Sequence, residues 1–344
     1  MYASVIVSTY NRRKILQRTI NSLLNQTVSR EAFEVIVVDD CSSDDTRAYM
    51  NHLRELAPSV VYIRHDANRG RVVTRNDGIR AARGDIVIFL DDDNVPDQPF
   101  IEAHIRCHER EISQHIAVMG NVRFAPGVVS GRNFARYLQS RYLGCRSPSD
   151  RKEIDYSNLP ARCLGTGNCS IRHVDLLAAG MLDTCFHLYG GEDVYLGFCL
   201  KQLGIRILFG EDARSWHYDD VSILRYKLKI METAREGLKI ILRKSPEYFE
   251  GTQLRFLLPV NWKKDSPWRI FLKLCIRAFL NPVTVFLMER WAISTDRRSF
   301  LYFGPLYRLL VAGWAVLGIR SDQRPVKLVT YGEEKEDVPP LVET

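Results

Sequence analysis

Short apolar runs alternate with amphipathic stretches along the first ninety residues of the chain. The runs at 4–8, 33–38, 60–63 and 86–90 are rich in β-branched residues, and the segments between them carry apolar residues at helical spacing. Strands that are apolar on both faces and alternate with helices are typical of a parallel sheet covered by helices on two sides. The pattern therefore predicts an α/β fold built on a doubly wound, mostly parallel, Rossmann-like sheet.

The same pattern continues, less regularly, to about residue 220. Two glycines at 190–191 precede the acidic pair Glu192-Asp193 and an apolar stripe, which indicates the start of a helix. Gly204 is in position to end that helix. The apolar run at 205–209 predicts a further strand.

The region after residue 220 predicts a helical extension of amphipathic character. Near 268–279 the chain is apolar except for three basic residues that recur every four positions and predict a basic stripe on an interfacial helix. They are Arg269, Lys273 and Arg277. The stretch 299–319 is apolar except for Arg308, but Gly304-Pro305 interrupts it, so it falls short of a clean membrane span. We expect it to lie on a membrane or to pack on the preceding domain; an ordinary helical cap with solvated lysines is the alternative.

Composition narrows the class of protein. The 344 residues are 46% apolar and 26% charged, which excludes a disordered chain, a collagenous repeat and a small disulfide scaffold. Eight scattered cysteines form no CxxC pair, so the sequence indicates neither a zinc knuckle nor a thioredoxin motif. The N-terminus lacks the basic and apolar regions of a secretory signal, and we expect a cytoplasmic protein.

The net charge of +7 is concentrated in one segment. Residues 1–220 hold 27 basic and 28 acidic side chains, residues 221–320 hold 18 and 7, and residues 321–344 hold 3 and 6. A basic excess confined to a hundred residues indicates contact with an anionic surface, either nucleic acid or the inner leaflet of a membrane. We expect the membrane and no nucleic acid. The composition of the tail, 321–344, predicts disorder.

Polar residues end the predicted strands, at Ser8-Thr9, Asp39-Asp40 and Asp91-Asp92-Asp93. Ligands of such sheets bind beyond the carboxyl ends of the strands, so these side chains indicate one crevice. No GxGxxG follows the first strand and no GxxxxGK[ST] occurs, so a dehydrogenase-type dinucleotide site and a P-loop lose support. Three adjacent aspartates repel one another unless they are neutralised, and Mg²⁺ or Mn²⁺ prefers their oxygen atoms.

Each of these signals has a structural alternative when it is taken alone. The three aspartates fit a turn cap, and Asp39-Asp40 fits a helix N-cap. His217 fits a packed core histidine, and Glu192-Asp193 fits the acidic first turn of any helix.

Four motifs occurring in order carry a resemblance that none of them carries alone. They are Ser-Val-Ile-Val-Ser-Thr-Tyr-Asn-Arg at 4–12, Val-Val-Asp-Asp-Cys-Ser-Ser-Asp-Asp-Thr at 37–46, Asn-Arg-Gly at 68–70 with Thr-Arg-Asn-Asp-Gly-Ile at 74–79, and Phe-Leu-Asp-Asp-Asp-Asn at 89–94. Over about residues 2–220 the chain resembles the family 2 glycosyltransferases, which have the GT-A fold. The segments 165–172 and 190–193 resemble the acceptor half of galactosyltransferase-type enzymes.

The resemblance implies a role for each matching residue. Asp193 matches the catalytic base. The implied donor contacts are Ser8, Thr9, Tyr10, Asp40, Arg71, Arg75, Asn76 and Asp92, with Asp40 receiving an N–H of a uracil-like base. The implied ligands of a Mn²⁺ or Mg²⁺ cofactor are Asp91, Asp93 and His217. The implied acceptor contacts are Gly167, Asn168 and Glu192.

The resemblance also implies an organisation and an activity. The catalytic domain spans 1–220, with a nucleotide-sugar half at about 1–120 and an acceptor half at about 121–220, and the basic extension spans 221–320. Processive synthases of the family carry a glutamine before an Arg-Trp pair, but Leu287 stands at that place before Arg290-Trp291. We therefore expect transfer of a single sugar from a UDP-sugar to a hydroxyl of a glycan, lipid-linked or small-molecule acceptor, for cell-surface glycan or glycolipid synthesis at the inner face of the cell membrane.

Inversion at the anomeric carbon is the expected outcome, and retention stays open. Two alternatives remain at this point. One is a sugar nucleotidyltransferase, which also combines a doubly wound fold with aspartates and Mg²⁺. The other is an inactive, membrane-docked glycan-binding protein of the same fold.

Overall fold

The computed structural model describes residues 1–111, 115–145, 154–218, 222–249 and 252–321. Its strands are β1 (Ala3–Thr9), β2 (Phe33–Asp39), β3 (Val60–Arg64), β4 (Ile86–Asp91), β5 (Asn94–Pro96), β6 (Ile116–Phe124), β7 (Asn168–Arg172) and β8 (Arg206–His217). Its helices are α1 (Arg13–Leu23), α2 (Thr46–Leu56), α3 (Arg71–Ala81), α4 (Phe100–Arg110), α5 (Pro126–Val129), α6 (Asn133–Gln139), α7 (His173–Ala178), α8 (Glu192–Gln202), α9 (Ile223–Glu232), α10 (Leu238–Lys244), α11 (Pro267–Phe279), α12 (Pro282–Thr295) and α13 (Gly304–Arg320). A π-helical turn, Thr233–Gly237, joins α9 to α10.

The described strands form one mixed sheet in the order β3-β2-β1-β4-β7-β6-β8-β5. The first four are parallel, as the apolar runs predict. β7 is antiparallel to both β4 and β6, whereas β6 and β8 are parallel. Because Ser8 of β1 pairs with Asp91 of β4, and Thr9 with Asp39 of β2, the polar strand ends lie at one level of the sheet.

The sheet separates two apolar layers because successive side chains of a strand point to opposite faces. On β1, Val5 and Val7 pack toward the layer that contains α1 and α4, while Ile6 packs toward the layer that contains α3 and α8. This three-layer arrangement confirms the predicted α/β class. It places the carboxyl ends of β1, β2 and β4 together at one edge of the sheet.

The C-terminal helices share an apolar core with the sheet domain. Tyr307, Leu310 and Trp314 of α13 are fully buried in a cluster that also contains Phe124 and Phe134. We expected the stretch 299–319 either to lie on a membrane or to pack on the preceding domain. The helix at 304–320 packs on the domain. Among the described residues no single helix is long and apolar enough to cross a membrane, whereas α11 and α12 together, bent by 56°, meet that length and composition.

The basic stripe predicted for α11 does not face outward, which corrects the expectation. Lys273 is buried and its ammonium contacts a carboxylate oxygen of Asp265 at 2.6 Å, while Arg269 lies 3.6 Å from the other oxygen. Arg277 is only partly exposed. The periodicity identified a face of the helix, and on that face Asp265 pairs with the buried Lys273 and lies beside Arg269. Of the predicted disordered tail, all but Ser321 lies outside the described residues.

Candidate active site

A cavity of about 800 Å³ opens at the carboxyl ends of the parallel strands, with α8 and α9 on its far side. All but one of the residues predicted to bind donor, metal or acceptor line it, together with the predicted base. They are Ser8, Thr9, Tyr10, Asp40, Arg71, Arg75, Asp91, Asp92, Asp93, Gly167, Asn168, Glu192, Asp193 and His217. Asp40, Asp93 and Asp193, which come from distant parts of the chain, thus face the same space.

Asp40 organises the loop that enters α3. Its Oδ1 accepts hydrogen bonds from the backbone N–H of Arg69 (2.7 Å) and pairs with Nδ1 of His65 (2.8 Å). Its Oδ2 accepts from the N–H of Gly70 (2.9 Å), whose φ of +85° favours glycine. An oxygen of a carboxylate has two acceptor positions, so Oδ2 keeps capacity for one donor from a ligand.

The acidic end of β4 is held by Arg12, which contacts Asp92 Oδ1 at 3.1 Å and Asp93 Oδ2 at 2.8 Å. Thr9 donates to the other oxygen of Asp92 at 2.8 Å. Burial, reinforced by the charges of Asp93 and Asp91, raises the pKa of Asp92 to about 7. Burial opposes ionisation of Asp93 as well, but Arg12, His217 and Lys229 hold its pKa well below the usual range.

Asp93 and His217 form the part of the cavity best suited to a divalent cation. Asp93 Oδ1 is buried, accepts no hydrogen bond within the described residues, and lies 3.4 Å from Nε2 of His217. The ionised carboxylate oxygen fits Mn²⁺ or Mg²⁺, and the neighbouring imidazole nitrogen favours a transition metal such as Mn²⁺ over Mg²⁺. Asp91 instead contacts Arg75 at 2.8 Å, and no set of three His, Cys, Asp or Glu residues within the described ranges is assembled for a metal.

Two arginines of α3 connect the acidic strand end to α8. Arg75 is buried and lies 2.8 Å from Asp91 and 3.4 Å from Glu192 Oε1. Arg71 contacts the same oxygen at 3.3 Å and lies 4.0 Å from the ring centroid of Tyr189. Glu192 was predicted to contact the acceptor. Its Oε1 instead contacts these two arginines, while its Oε2 is buried without a hydrogen bond within the described residues.

Asp193 lies in the first turn of α8, separated from the glycine pair by Glu192. Its Oδ1 accepts the N–H of Val194 at 2.7 Å. Desolvation in the cavity wall, followed by the charge of Glu192, raises the pKa of Asp193 to about 7, although Val194, Arg75 and Arg71 oppose the rise. A carboxyl with such a pKa can accept a proton near neutral pH.

Two of the predicted contacts have their amide groups bound elsewhere. Asn76 does not line the cavity, because its amide donates to the carbonyl of Leu182 (2.7 Å) and accepts from the N–H of the same residue (3.1 Å). Asn168 lines the cavity, but its side chain is fully buried against His104, Ala213 and Ser215. Both amides therefore stabilise the fold, and only the backbone of residue 168 is left for an acceptor.

Gly167 lines the cavity at a position that has no room for a side chain. A Cβ at this position would lie 2.8 Å from Asp91 Oδ2 and 3.3 Å from Asn94 Nδ2. Its carbonyl accepts hydrogen bonds from the backbone of Asp91 (3.1 Å) and from Asn94 (2.7 Å). The glycine thus lets β7 approach the acidic strand end.

The sequence interpretation missed the basic side of the cavity. Arg12 is the last residue of the first motif, at 4–12, but nothing in that motif indicates that Arg12 pairs with Asp92 and Asp93. The remaining unassigned wall includes Arg141, which follows α6, Ser222, which precedes α9, and Arg225, Tyr226, Lys229 and Glu232 of α9. The basic excess after residue 220 is the one signal that pointed to α9, and it was assigned to a membrane.

The loop before α8 is fastened to the helix that follows β8. Glu236 accepts the backbone N–H groups of His187 and Leu188, and the hydroxyl of Thr233 donates to the carbonyl of Tyr189 at 3.0 Å. Thr233 and Glu236 belong to the π-helical turn, and such turns are frequent at functional sites. The wall that carries Asp193 is therefore set by the C-terminal extension.

Residues 4–174, about half of the chain, match the family model for glycosyl transferase family 2. An uncharacterized glycosyltransferase of Bacillus subtilis, YfnE, is 27% identical over 262 residues. That alignment spans 64% of this chain and 66% of the relative, just under two thirds of each.

Two solved structures share the fold. The mannosyltransferase PcManGT from Pyrobaculum calidifontis, in complex with GDP-Man and Mn²⁺, has a TM-score of 0.59 and 16% identity, covering 92% of this chain and 85% of that one. GalNAc-T7 with UDP, GalNAc and Mn²⁺ has a TM-score of 0.51 and 16% identity, covering 72% and 52%. These similarities confirm the GT-A fold predicted from the ordered motifs.

Proposed function

The chain belongs to the family 2 glycosyltransferases, and we propose that it transfers a single sugar from a UDP-sugar to a hydroxyl group of a glycan, lipid-linked or small-molecule acceptor. The observation that carries this proposal is the convergence of Asp40, Asp93 and Asp193 on one cavity. In the proposal Asp40 contacts the nucleoside, Asp93 would hold the cation that faces the diphosphate, and Asp193 accepts the proton of the acceptor hydroxyl. The proposed setting is cell-surface glycan or glycolipid synthesis.

In this proposal Asp193 is the general base. Its carboxylate takes the proton of the acceptor hydroxyl as the oxygen attacks the anomeric carbon and the bond from that carbon to the diphosphate oxygen breaks. Attack from the face opposite the leaving group inverts the configuration. The raised pKa of Asp193 supports this role. A base whose pKa lies near the working pH is deprotonated in a large fraction of molecules and still binds a proton well.

Basic side chains on the cavity wall are suited to the departing diphosphate. Arg71, Arg225 and Lys229 line the cavity, and the charge of Lys229 reaches Asp93 strongly enough to lower its pKa. Fixed cations of this kind stabilise negative charge that develops in the transition state. Lys229 lies 5.2 Å from the ring centroid of Tyr189, which orients its ammonium beside the loop that leads to α8.

Asp93 and His217 would hold the divalent cation, with Asp91, whose Oδ1 contacts Arg75 at 2.8 Å, as the third ligand. Mn²⁺ or Mg²⁺ held there would supply positive charge to the diphosphate. Both solved neighbours contain Mn²⁺, which supports the choice of metal. Asp40 is assigned to an N–H of the uracil ring, and Ser8, Thr9 and Tyr10 to the nucleoside.

Nucleoside diphosphate release by the purified protein tests this function, with Mn²⁺ and a panel of UDP- and GDP-sugars. We expect turnover with a UDP-sugar and a loss of about 100-fold or more in Asp193→Asn, while UDP still raises its thermal midpoint. Asp93→Asn is expected to lose the additional shift that Mn²⁺ produces. Asp183→Asn is the matched control, because Asp183 pairs with Lys244 outside the cavity.

The outcomes separate the alternatives. Undiminished release in both Asp93→Asn and Asp193→Asn contradicts the site. Release of pyrophosphate from UTP and a sugar 1-phosphate favours a nucleotidyltransferase. Binding of UDP-sugar and glycan without any turnover favours the inactive glycan-binding protein.

A further inference from the structure

We propose that α11, α12 and the segment 299–306 form a docking face for an anionic lipid bilayer. The face is defined by large apolar side chains that the fold leaves exposed. They are Trp268, Phe271, Leu274 and Phe279 of α11, Val283, Phe286 and Leu287 of α12, and Phe300 and Phe303 of the following segment. The inference stands apart from the proposed function, because none of these residues lines the cavity.

Helix α11 has its polarity reversed relative to an ordinary surface helix. Lys273 and Arg269 point inward to Asp265, whereas Trp268 is 66% and Phe271 is 55% exposed. The rings of Trp268 and Phe271 stack with a centroid distance of 5.5 Å. A surface helix normally buries its apolar stripe and exposes its charges. The reversal indicates that the outer stripe meets an apolar environment.

The apolar surface continues after the bend into α12. An open groove of about 580 Å³ is lined by apolar and aromatic side chains of α12 and the segment that leads to α13. They are Leu287, Met288, Trp291, Phe300, Leu301, Tyr302, Phe303 and Leu306. Phe300 at its rim is 82% exposed. Contiguous exposed apolar surface of this kind marks an interaction site.

The charges around the docking face have one sign. Residues 252–321 hold eleven Lys and Arg and three acids. Each acid is bound inside: Asp265 to Lys273, Glu289 to Lys227 at 2.9 Å, and Asp296 to Arg132 at 3.2 Å. The exposed charges in the segment are basic and include Lys263, Lys264, Arg290, Arg297, Arg298 and Arg308.

Exposed apolar side chains combined with exposed basic side chains limit which partner can cover the docking face. A second copy of the chain, docked through the same face, would bring cations against cations. Nucleic acid would satisfy the cations but leave nine large apolar side chains without a partner. An anionic bilayer satisfies both, because phenylalanine and tryptophan enter the boundary between headgroups and acyl chains while arginines contact lipid phosphates. The short, bent pair of helices then lies in the plane of the surface.

Vesicle co-sedimentation of the full chain tests the proposal, with vesicles of phosphatidylcholine alone and with about one third phosphatidylglycerol. We expect at least tenfold stronger binding to the anionic vesicles, weakened by salt. Phe286→Asn/Phe300→Asn is expected to lose binding at least tenfold. Arg297→Gln/Arg298→Gln is expected to reduce the preference for anionic lipid. The control is Leu56→Asn, which removes an equally exposed leucine on α2.

Donor hydrolysis without vesicles is measured on every variant and is expected to be unchanged, which separates failure of docking from failure of the catalytic proposal. Equal binding of the wild type to both vesicle types, or full binding by Phe286→Asn/Phe300→Asn, overturns the inference. A concentration-dependent dimer that Phe300→Asn dissociates, with no vesicle binding, overturns it in favour of a second copy.

Discussion

At the scale of single residues, the carboxyl of Asp193 is poised between two protonation states. Desolvation and Glu192 raise its pKa to about 7. A general base works only when it is deprotonated, so activity is lost as the pH falls below this value. We expect kcat/KM for the acceptor to rise about tenfold per pH unit up to about pH 7 and then level off. A pH profile from 5.5 to 8.5 measures this, and a flat profile contradicts the role of Asp193.

Lys229 is the cation on which the departing diphosphate is expected to depend most. Lys229→Met removes the charge but keeps most of the length, and we expect kcat to fall by roughly ten- to a hundredfold with a smaller change in KM for the donor. Lys229→Arg is expected to restore part of the rate. Lys239→Met, which lies further along the same helical segment and does not line the cavity, is the control. Equal rates in Lys229→Met and the control contradict the assignment.

Which single residues the sequence could identify depends on where their partners lie. The strand-end aspartates were identifiable because their position follows from strand direction alone. Asn76 and Asn168 were assigned to ligands, yet their partners, Leu182 and His104, come from segments that no local pattern connects to them. Arg12 was missed for the same reason.

At the scale of elements, α4 and β7 enclose a polar network. Residues 168 and 170 share one face of β7, and their side chains contact His104 and His108, which are one turn apart on α4. Desolvation lowers the pKa of His104 to about 4 and that of His108 to about 3. Both imidazoles therefore stay neutral in the folded protein across a range in which the unfolded chain binds protons.

This network predicts acid sensitivity. Between pH 6.5 and about 4 the unfolded state takes up protons that the folded state refuses, so the free energy of unfolding falls by up to about 1 kcal/mol per pH unit for each histidine. We expect His104→Gln/His108→Gln to have a flatter dependence than the wild type in urea unfolding at pH 7, 6 and 5, whatever its absolute stability. His52→Gln, at an exposed site, is expected to keep the wild-type slope. Identical slopes in the double variant and the wild type contradict this origin.

The contact between the π-helical turn and the loop before α8 makes a second prediction at this scale. A Cβ on Gly237 would lie 2.3 Å from the carbonyl oxygen of Gly190, so Gly237→Ala must displace the loop that leads into α8 and Asp193. Gly313→Ala is an equally crowded helical control, because its Cβ would lie 2.5 Å from Val285, far along the chain from the cavity lining. We expect both to lower the thermal midpoint and only Gly237→Ala to lower kcat/KM by tenfold or more. Loss of activity in both variants contradicts the coupling.

At the scale of the whole molecule, the predicted border at residue 220 crosses both the cavity and the core. Ser222 to Glu232 supply one wall of the cavity, and Ile240 and Ile241 pack with the residues of the sheet domain. The parallel pairing of the first four strands and the crevice at their ends followed from apolar runs and their polar ends. The attachment of the extension did not, because its apolar stripes look alike whether they cover a domain or a membrane.

A chain that ends at residue 220 is therefore expected to lose part of the apolar core and one wall of the cavity as well as the proposed membrane-docking face. It would expose Phe124, Phe134 and Leu138, which α13 and α12 cover in the intact protein. We expect such a fragment to aggregate on expression and to show no thermal stabilisation by UDP with Mn²⁺, as light scattering and thermal unfolding would reveal. A soluble fragment with wild-type nucleotide affinity would contradict this view of the border.

The hydrogen bonds that join residues 187–189 to Thr233 and Glu236 also bear on how acceptor preference could be exchanged between such enzymes. In the proposed function the nucleotide contacts residues within the first hundred positions, whereas the opposite wall is formed jointly by a loop and a later helix. A chimera that receives the loop without the helical turn that binds it would contain backbone N–H groups without hydrogen-bond acceptors and would lack a formed binding surface. The loop and the helical turn therefore have to be exchanged together.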